Sequence, residues 1–299
     1  MSGTTAVSGS STVVVTEAPR RALRRGRHRH TAPFSALAVI AALLWLFPVY
    51  WMVSGSFKLN SDLITSPPTW WPAPFSALGY QEAFAGNFVE HLFDSLEVTC
   101  ASVAIAMVLS VGAAMAVARY RFRGRASLLV MLIGVQMIPF GGLLIPMYVY
   151  LNQFNLLNIP GLILVYIAPV LPFTIWMLRG FVVSVPKEVE EAALTDGCSR
   201  VKAFMTVVFP LIAPGLVATA IFGFISAWNE LVYATTILAA NGNNWTLPVW
   251  LEEFITPTAQ VQWNAIFAGS VLYTLPVLIF FLIIQRRMMA GLTAGAVKG

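Results

Sequence analysis

The sequence predicts an all-α membrane protein that crosses the bilayer six times, with its N-terminus and C-terminus on the cytoplasmic side. Three observations support this class. Of 299 residues, 58% are hydrophobic and 10% are charged, far below the roughly 25% charged residues of an ordinary soluble domain. The mean hydropathy is +0.76. The charged residues are concentrated in short segments between long apolar runs. These features argue strongly against a soluble fold.

The spans follow from the length of the apolar runs. A helix needs about 20 apolar residues to cross roughly 30 Å of hydrocarbon. Six runs of about this length are predicted to span the membrane: 34–56, 92–117, 127–151, 160–181, 212–238 and 265–285. They form one membrane domain, residues 34–285. A basic tail, residues 1–33, precedes it and is predicted to be disordered, and a short tail, residues 286–299, follows it.

The basic residues predict the orientation. The segments joining successive spans alternate in basic content, and 17 of the 18 Lys and Arg residues belong to the set that includes both termini. Lys58 is the one exception. The positive-inside rule therefore places both termini in the cytoplasm. Because the net charge of +5 lies beside the spans, it does not indicate a nucleic-acid partner.

The opposite side is predicted to carry two aromatic loops, residues 57–91 and 239–264. Their tryptophans are typical of an interfacial belt: Trp70, Trp71, Trp245, Trp250 and Trp263. Asn241 to Asn244, with Glu252 and Glu253, leave open a second interpretation, in which the 239–264 loop contacts an external protein or solute.

One charged, amphipathic segment interrupts the apolar interior of the chain, beginning at Pro186. Pro186 suits the first turn of a helix, and Glu188, Glu190 and Glu191 place negative charge at the positive end of its dipole. Gly197 is suited to end this helix in a left-handed conformation, and Ser199 to cap a second helix. The segment therefore predicts a short helix-turn-helix on the cytoplasmic surface. An ordinary interfacial helix is the alternative, but such helices are usually more basic.

The spacing of this segment resembles the EAA signature of importer permeases in the ATP-binding-cassette superfamily. Glu191-Ala192-Ala193 is followed by Asp196-Gly197 and, after nine residues, by Val207 to Pro210. Val207-Val208-Phe209-Pro210 departs from the usual Ile-x-Leu-Pro by an apolar exchange. Trp228-Asn229-Glu230 and the ending Gln285-Arg286-Arg287 to Gly299 are similar to the carbohydrate-importer branch, specifically the shorter permease of the maltose transporter. The resemblance covers residues 34–299.

This resemblance implies a type I importer permease fold in which segment 186–211 forms a coupling helix that docks on an ATPase. The implied docking residues are Glu190, Glu191, Ala192, Ala193, Asp196 and Gly197, and Gly291, Leu292 and Thr293 of the C-terminal tail are expected near the ATPase pair. The implied partners are a second, non-identical permease, two ATPase subunits, an extracytoplasmic sugar-binding protein and the lipid bilayer of a bacterial cytoplasmic (inner) membrane, which the chain is expected to cross several times. The chain contains no phosphate-binding Gly-x-x-x-x-Gly-Lys-Ser/Thr loop, so ATP and Mg are expected on the partner ATPases, with no cofactor or metal on this chain.

The candidate solute path centres on Glu230, which the predicted fifth span places deep in the membrane. A carboxyl group there costs about 2.5–3.5 kcal/mol by insertion scales, so it should face a cavity or a protein interior. Asn229 and Trp228 could hydrogen-bond and stack on a sugar. The alternative is a structural role for Glu230, bonded to the partner permease or to a broken helix end. Gln136, Tyr148 and Trp176 are weaker candidates to line the path, near the proline-rich third and fourth spans.

Other classes of function fit less well. An intramembrane enzyme lacks a His-x-x-x-His pair within any span and a Gly-x-Ser-x-Gly elbow. A secondary transporter driven by an ion gradient remains an alternative, although Glu97 and Glu230 are few carboxylates for it. A homodimer of this chain and the import of another solute, such as glycerol phosphate, also stay open, and the sequence does not identify the sugar.

Overall fold

The computed structural model describes residues 31–239, 244–255 and 261–296, and within these ranges the chain is helical, with no strand. The tail predicted to be disordered, residues 1–33, lies outside the described part over residues 1–30, and its residues 31–33 are helical. The chain divides into two units, Met1–Pro48 and Val49–Gly299. Helix α1 (Thr31–Ser56) is apolar along its length and contains the first predicted span.

Helix α1 is followed by a proline-rich loop that contains the short helices α2 (Asn60–Leu63) and α3 (Leu78–Ala85). Lys58 lies at the start of this loop and stabilises it. The side chain of Lys58 is buried, its Nζ donates to the carbonyl of Thr69, and it lies 4.6 Å from the centre of the Trp51 ring. Burial lowers the pKa of Lys58, and the charge of Asp62 partly offsets that effect. The one basic residue predicted on this side is thus a structural group of the loop.

The second and third predicted spans differ in their continuity. Helix α4 (Phe88–Arg119) is a single apolar helix that extends the predicted 92–117 at both ends. The predicted span 127–151 is instead broken into α5 (Arg125–Gln136), a 3-10 turn (Phe140–Leu143) and α6 (Leu144–Gln153), with a bend of 90°. Pro139 at the break explains the difference, because a proline supplies no N–H to continue the helix.

Helix α7 (Ile159–Ser184) is the fourth span and packs along α4. It begins where Asn158 Oδ1 accepts a hydrogen bond from the backbone N–H of Gly161 at 3.1 Å, a side-chain cap. Between α4 and α7, Ser110 and Thr174 share a hydrogen bond between fully buried hydroxyl groups. Pro169 and Pro172 lie inside α7 without ending it.

The segment after α7 contains α8 (Lys187–Thr195), α9 (Arg200–Ala203) and a π-helical turn (Phe204–Val208), which runs directly into α10 (Phe209–Trp228). The continuous apolar helix here is Arg200–Trp228. The prediction of one span from 212 to 238 was therefore wrong at both ends. The chain leaves the helix after Trp228 and begins a separate short helix, α11 (Val232–Leu238).

Helices α12 (Leu247–Glu253) and α13 (Trp263–Ala296) complete the molecule. Trp250 was predicted to lie in an interfacial belt, but its side chain is fully buried, and its Nε1 donates to the carbonyl of Gly86 at 2.7 Å. Trp70, Trp71 and Trp263 are exposed, which fits the belt prediction. Trp250 is a core residue because α3 and α12 fold over the end of α4.

In total, five described helices are long and apolar enough to cross a membrane, or six when the bent pair α5 and α6 counts as one span. The core of Val49–Gly299 is largest where α4, α7, α10 and α11 meet, around Tyr166, Trp228 and Tyr233. A smaller apolar cluster of Ala118, Val182, Val185, Val208 and Ile212 lies next to α8.

Candidate functional site: an exposed acidic helix and a broken span

The first candidate site is α8, whose boundaries arise from local chemistry. Pro186 precedes the helix, and Glu188 and Glu190 lie in its first turn, where negative charge favours the helix dipole. Gly197 ends it with φ of +86°, a left-handed conformation that glycine adopts without strain. The N–H of Cys198 bonds to the carbonyl of Ala193 at 3.0 Å, which closes the turn.

The next helix begins as its sequence predicts. The hydroxyl of Ser199 accepts a hydrogen bond from the backbone N–H of Lys202 at 3.3 Å and so caps α9. The helix-turn-helix predicted from Pro186, Gly197 and Ser199 is therefore present in the structure.

The side chains of α8 divide into an exposed face and a buried face. Glu191, Ala192, Asp196 and Gly197 are exposed, whereas Ala193 is buried against the unit. Since Ala192 is small, a partner surface can approach the backbone of α8 closely at this point. The exposed face therefore carries the carboxylate of Glu191 next to the small side chain of Ala192, where an approaching surface meets little steric hindrance.

Glu190 belongs to the buried face. Its Oε2 lies 2.9 Å from Nε of Arg119, the last residue of α4, and the two side chains are 19% and 7% exposed respectively. Nη2 of Arg119 donates to the carbonyl of Val185 at 3.0 Å. The guanidinium group of Arg119, the last residue of α4, thus contacts both α8 and the end of α7.

A recess of about 250 Å³ lies beside this ion pair. It is lined by Arg119, Tyr120, Lys187, Glu190, Glu191, Leu194 and Arg200. Three cationic and two acidic side chains therefore meet next to the exposed face of α8, and an incoming polar side chain would meet charges of both signs here.

The second candidate site is the break between α10 and α11, which contains Trp228, Asn229 and Glu230. The ring of Trp228 is buried and stacks on Phe224 at 5.4 Å and on Tyr273 at 5.7 Å. Asn229 is exposed; its Nδ2 donates to the carbonyl of Ile225 at 2.7 Å, and its Oδ1 accepts from the hydroxyl of Tyr273 at 2.8 Å. Trp228 therefore supports the break from within the core, and Asn229 presents its amide at the surface.

Glu230 closes the break. Its carboxylate accepts hydrogen bonds from the backbone N–H groups of Tyr233 at 3.0 Å and Ala234 at 3.2 Å, the first turn of α11. These N–H groups have no partner within the helix, and a negative charge also favours this end of the helix dipole. The carboxyl group thus satisfies a broken helix end within an apolar segment.

The break is joined to the bend of the third span. The hydroxyl of Tyr166 donates to the carbonyl of Glu230 at 3.2 Å, and the hydroxyl of Tyr233 donates to the carbonyl of Phe140 at 2.5 Å. Phe140 in turn lines a cavity of about 270 Å³ together with Gln136, Pro169 and Pro172. The bend of the third span and the break of the fifth span are therefore joined through Tyr233 and Phe140, and no hydrogen bond joins Gln136 to Asn229 or Glu230 among the described residues.

The remaining predicted residues lie apart from this arrangement. Tyr148 is half-buried on α6. Trp176 is 40% exposed on α7, with the guanidinium carbon of Arg179 5.5 Å from the centre of its ring. Gly291, Leu292 and Thr293 fall within α13, which continues to Ala296, so the predicted tail is helical over these three residues.

Sequence reasoning missed four residues that shape these sites: Arg119, Tyr166, Tyr233 and Tyr273. The three tyrosines lie in apolar helices, and a buried tyrosine hydroxyl usually finds a hydrogen-bond partner, which was an available signal. Arg119 was interpreted only as a topology charge. Nothing in the sequence distinguishes it from its basic neighbours Arg121 and Arg123.

Known proteins resemble this chain over the region that contains both candidate sites. Residues 106–292, which include both candidate sites, match the family "Binding-protein-dependent transport system inner membrane component". The chain is 41% identical over 264 residues to the diacetylchitobiose uptake system permease protein DasC of Streptomyces coelicolor, covering 88% of this chain and 95% of that protein. It is 38% identical over 262 residues to the sulfoquinovosyl glycerol transport system permease protein SmoH of Agrobacterium fabrum, covering 85% and 89%.

A solved structure supports the fold. A chain of a bacterial ABC transporter involved in the import of the acidic polysaccharide alginate superposes with a TM-score of 0.72, at 22% identity, covering 87% of this chain and 98% of that chain. The family match spans more than half of the chain, and both relatives align over most of their length. The chain therefore belongs to the family of inner membrane components of binding-protein-dependent transport systems.

Proposed function

We propose that this chain is the membrane-spanning permease subunit of an ATP-driven sugar importer in the bacterial cytoplasmic membrane. It forms half of a translocation path, and a second, non-identical permease forms the other half. Two ATPase subunits, which hold ATP and Mg, dock on the cytoplasmic side, and a sugar-binding protein delivers solute from outside. The family match and the two sugar-transport relatives support this proposal.

The observation that carries the proposal is the exposed face of α8. Glu191, Ala192, Asp196 and Gly197 are solvent-exposed on a short acidic helix at one end of the unit. We propose that Glu191 pairs with a basic residue of the ATPase and that Ala192 permits close approach of its surface. Closure of the ATPase pair would then move α8, and the membrane helices would alternate between two states.

For the substrate we propose a glycoside with several hydroxyl groups. The names of the two relatives include diacetylchitobiose and sulfoquinovosyl glycerol. Both compounds contain a sugar in glycosidic linkage, although they differ in charge. Asn229, exposed at the break of the fifth span, is the group of this chain that we propose to contact such hydroxyls. Its amide is fixed by Tyr273 and Ile225, which suits directional hydrogen bonding.

The docking role is tested by reversing one charge on the exposed face of α8. Glu191→Lys should reduce the amount of ATPase that copurifies with the chain at least about tenfold, since truncating or reversing one partner of an interfacial charge pair costs 2 kcal/mol or more. The matched control is Glu188→Lys on the first turn of the same helix, which should retain the ATPase. Both variants should insert into the membrane.

Full retention of the ATPase by Glu191→Lys, or equal loss by both variants, would contradict the proposed docking face. Uptake of labelled diacetylchitobiose by cells that express the complete transporter gives the matching functional measurement.

A further inference from the structure

We propose that the ion pair of Arg119 and Glu190 links α8 mechanically to α4, so that α4 follows α8 during the transport cycle. The inference rests on the proposed function, because it assigns the route by which movement of a docked α8 enters the membrane helices. It also separates the roles of two adjacent glutamates: Glu190 holds α8 to this chain, and Glu191 faces the partner.

The geometry of the pair supports a link within the chain. Nε of Arg119 lies 2.9 Å from Oε2 of Glu190, and the Arg119 side chain is 7% exposed, so the contact is a sheltered ion pair, although the N–H at Nε is not aligned as a hydrogen bond. An ion pair this sheltered is screened by solvent less than a surface pair, so its strength persists at physiological salt.

The position of the pair determines what it connects. Arg119 is the last residue of α4, where a cation also favours the helix dipole, and its Nη2 holds the carbonyl of Val185 at the end of α7. Directly beside it, Ala118, Val182, Val185, Val208 and Ile212 pack the ends of α4, α7 and α10 together. A displacement of α8 therefore reaches α4 through the ion pair, and the apolar cluster, which contains no residue of α8, ties that end of α4 to α7 and α10.

The neighbouring groups do not duplicate the link. Arg121 and Arg123 are exposed and make no ion pair among the described residues. Lys187 and Arg200 line the recess next to Glu190, but neither lies within 4.0 Å of a carboxylate oxygen of any residue that the structure describes. Arg200 instead lies 6.0 Å from the centre of the Tyr120 ring. Of the cations around this recess, Arg119 alone makes an ion pair with α8 in the described part of the chain.

The test uses the complete transporter, purified with its partner permease and ATPase subunits and reconstituted in lipid nanodiscs. Cys100 and Cys198 are replaced by serine, and spin labels are attached at Glu188→Cys on α8 and Val108→Cys on the exposed side of α4. Pulsed electron paramagnetic resonance then measures the distance between the two labels without nucleotide and with MgATP and vanadate. The variants are Arg119→Glu, Glu190→Arg, the combined exchange and the control Arg121→Glu.

If the pair links the helices, the distance distribution of the parent protein stays the same in both nucleotide states, because α8 and α4 move together. Each single charge reversal should retain the ATPase but give a nucleotide-dependent shift or broadening of the distribution. The combined exchange should restore the parent behaviour, and Arg121→Glu should not change it.

Distributions in the single variants that match the parent would overturn the link. So would loss of the ATPase in Arg119→Glu, which would make the pair part of the docking surface, and so would failure of the combined exchange to restore the parent behaviour. If the parent complex itself retains no ATPase, the failure lies in the proposed function instead.

Discussion

Single residues in this protein carry polar chemistry at places where the backbone is interrupted. The carboxylate of Glu230 satisfies the first N–H groups of α11, and the hydroxyls of Tyr166 and Tyr273 reach backbone and amide oxygen atoms around the same break. The hydroxyl of Tyr233 reaches the carbonyl of Phe140 at the bend of the third span. In hydrocarbon an unpaired backbone group costs several kcal/mol, so an interruption requires such side chains. Glu230 therefore has a structural role whether or not it contacts solute.

Substitution of Glu230 should separate these two roles. Glu230→Gln keeps one oxygen acceptor for the N–H groups of Tyr233 and Ala234, and we expect it to destabilise the assembled protein by about 1 kcal/mol, the usual net value of a hydrogen bond. Glu230→Ala leaves both N–H groups unpaired and should cost about 2–3 kcal/mol. The unfolding midpoint of the purified complex in detergent measures this order.

Stability of Glu230→Ala equal to that of the parent protein would contradict a stabilising cap. If Glu230→Gln remains stable but sugar uptake falls strongly, the carboxylate contacts solute in addition to α11.

At the scale of elements, close approach between helices depends on a few positions without a side chain. A Cβ atom at Gly215 of α10 would lie 2.2 Å from Cγ of Phe181 on α7, too near for any real contact. Cγ is the fixed base of the ring, so it cannot swing away as the tip of a flexible side chain would. The packing of α10 on α7 therefore requires glycine at 215.

Replacement of Gly215 should lower the free energy of unfolding, whereas replacement of Gly180, next to Phe181 in the sequence, should not. Gly215→Ala forces α10 and α7 apart and should destabilise the protein by about 1–3 kcal/mol, the usual cost of overpacking. Gly180→Ala is the control, because a Cβ there meets nothing within 4 Å and alanine is the better helix former. Thermal unfolding of both purified variants provides the measurement, and equal midpoints would contradict the predicted close approach.

At the scale of the whole molecule, the distribution of charge predicts which end faces the cytoplasm. All but one of the 18 Lys and Arg residues belong to the segments assigned to the cytoplasmic side, and the remaining one, Lys58, is buried. The described part of the molecule places α8 at one end of Val49–Gly299, together with the arginine-rich end of α4. The orientation of the molecule therefore decides whether α8 can meet an ATPase.

The half-exposed thiol of Cys198, between α8 and α9, tests this orientation directly. After Cys100→Ser, a membrane-impermeant maleimide should label Cys198 in inverted membrane vesicles and not in intact cells. A cysteine introduced at exposed Ser66 in the loop after α1, with Cys198 also replaced by serine, should show the opposite pattern. Labelling of Cys198 from outside would contradict the predicted topology and the docking proposal with it.

The class of the protein, the approximate places of its apolar helices and the boundaries of α8 could be predicted from the amino-acid sequence alone. These features depend on local chemistry: the length of an apolar run, a left-handed position at Gly197 and a cap at Ser199. Pro139 is a local cause for the break of the third predicted span. The break of the fifth span, the burial of Trp250 and the inward turn of Glu190 to Arg119 became visible in the tertiary structure. Those outcomes depend on partners distant in sequence, since a broken helix or a buried charge persists only where another segment satisfies its polar groups.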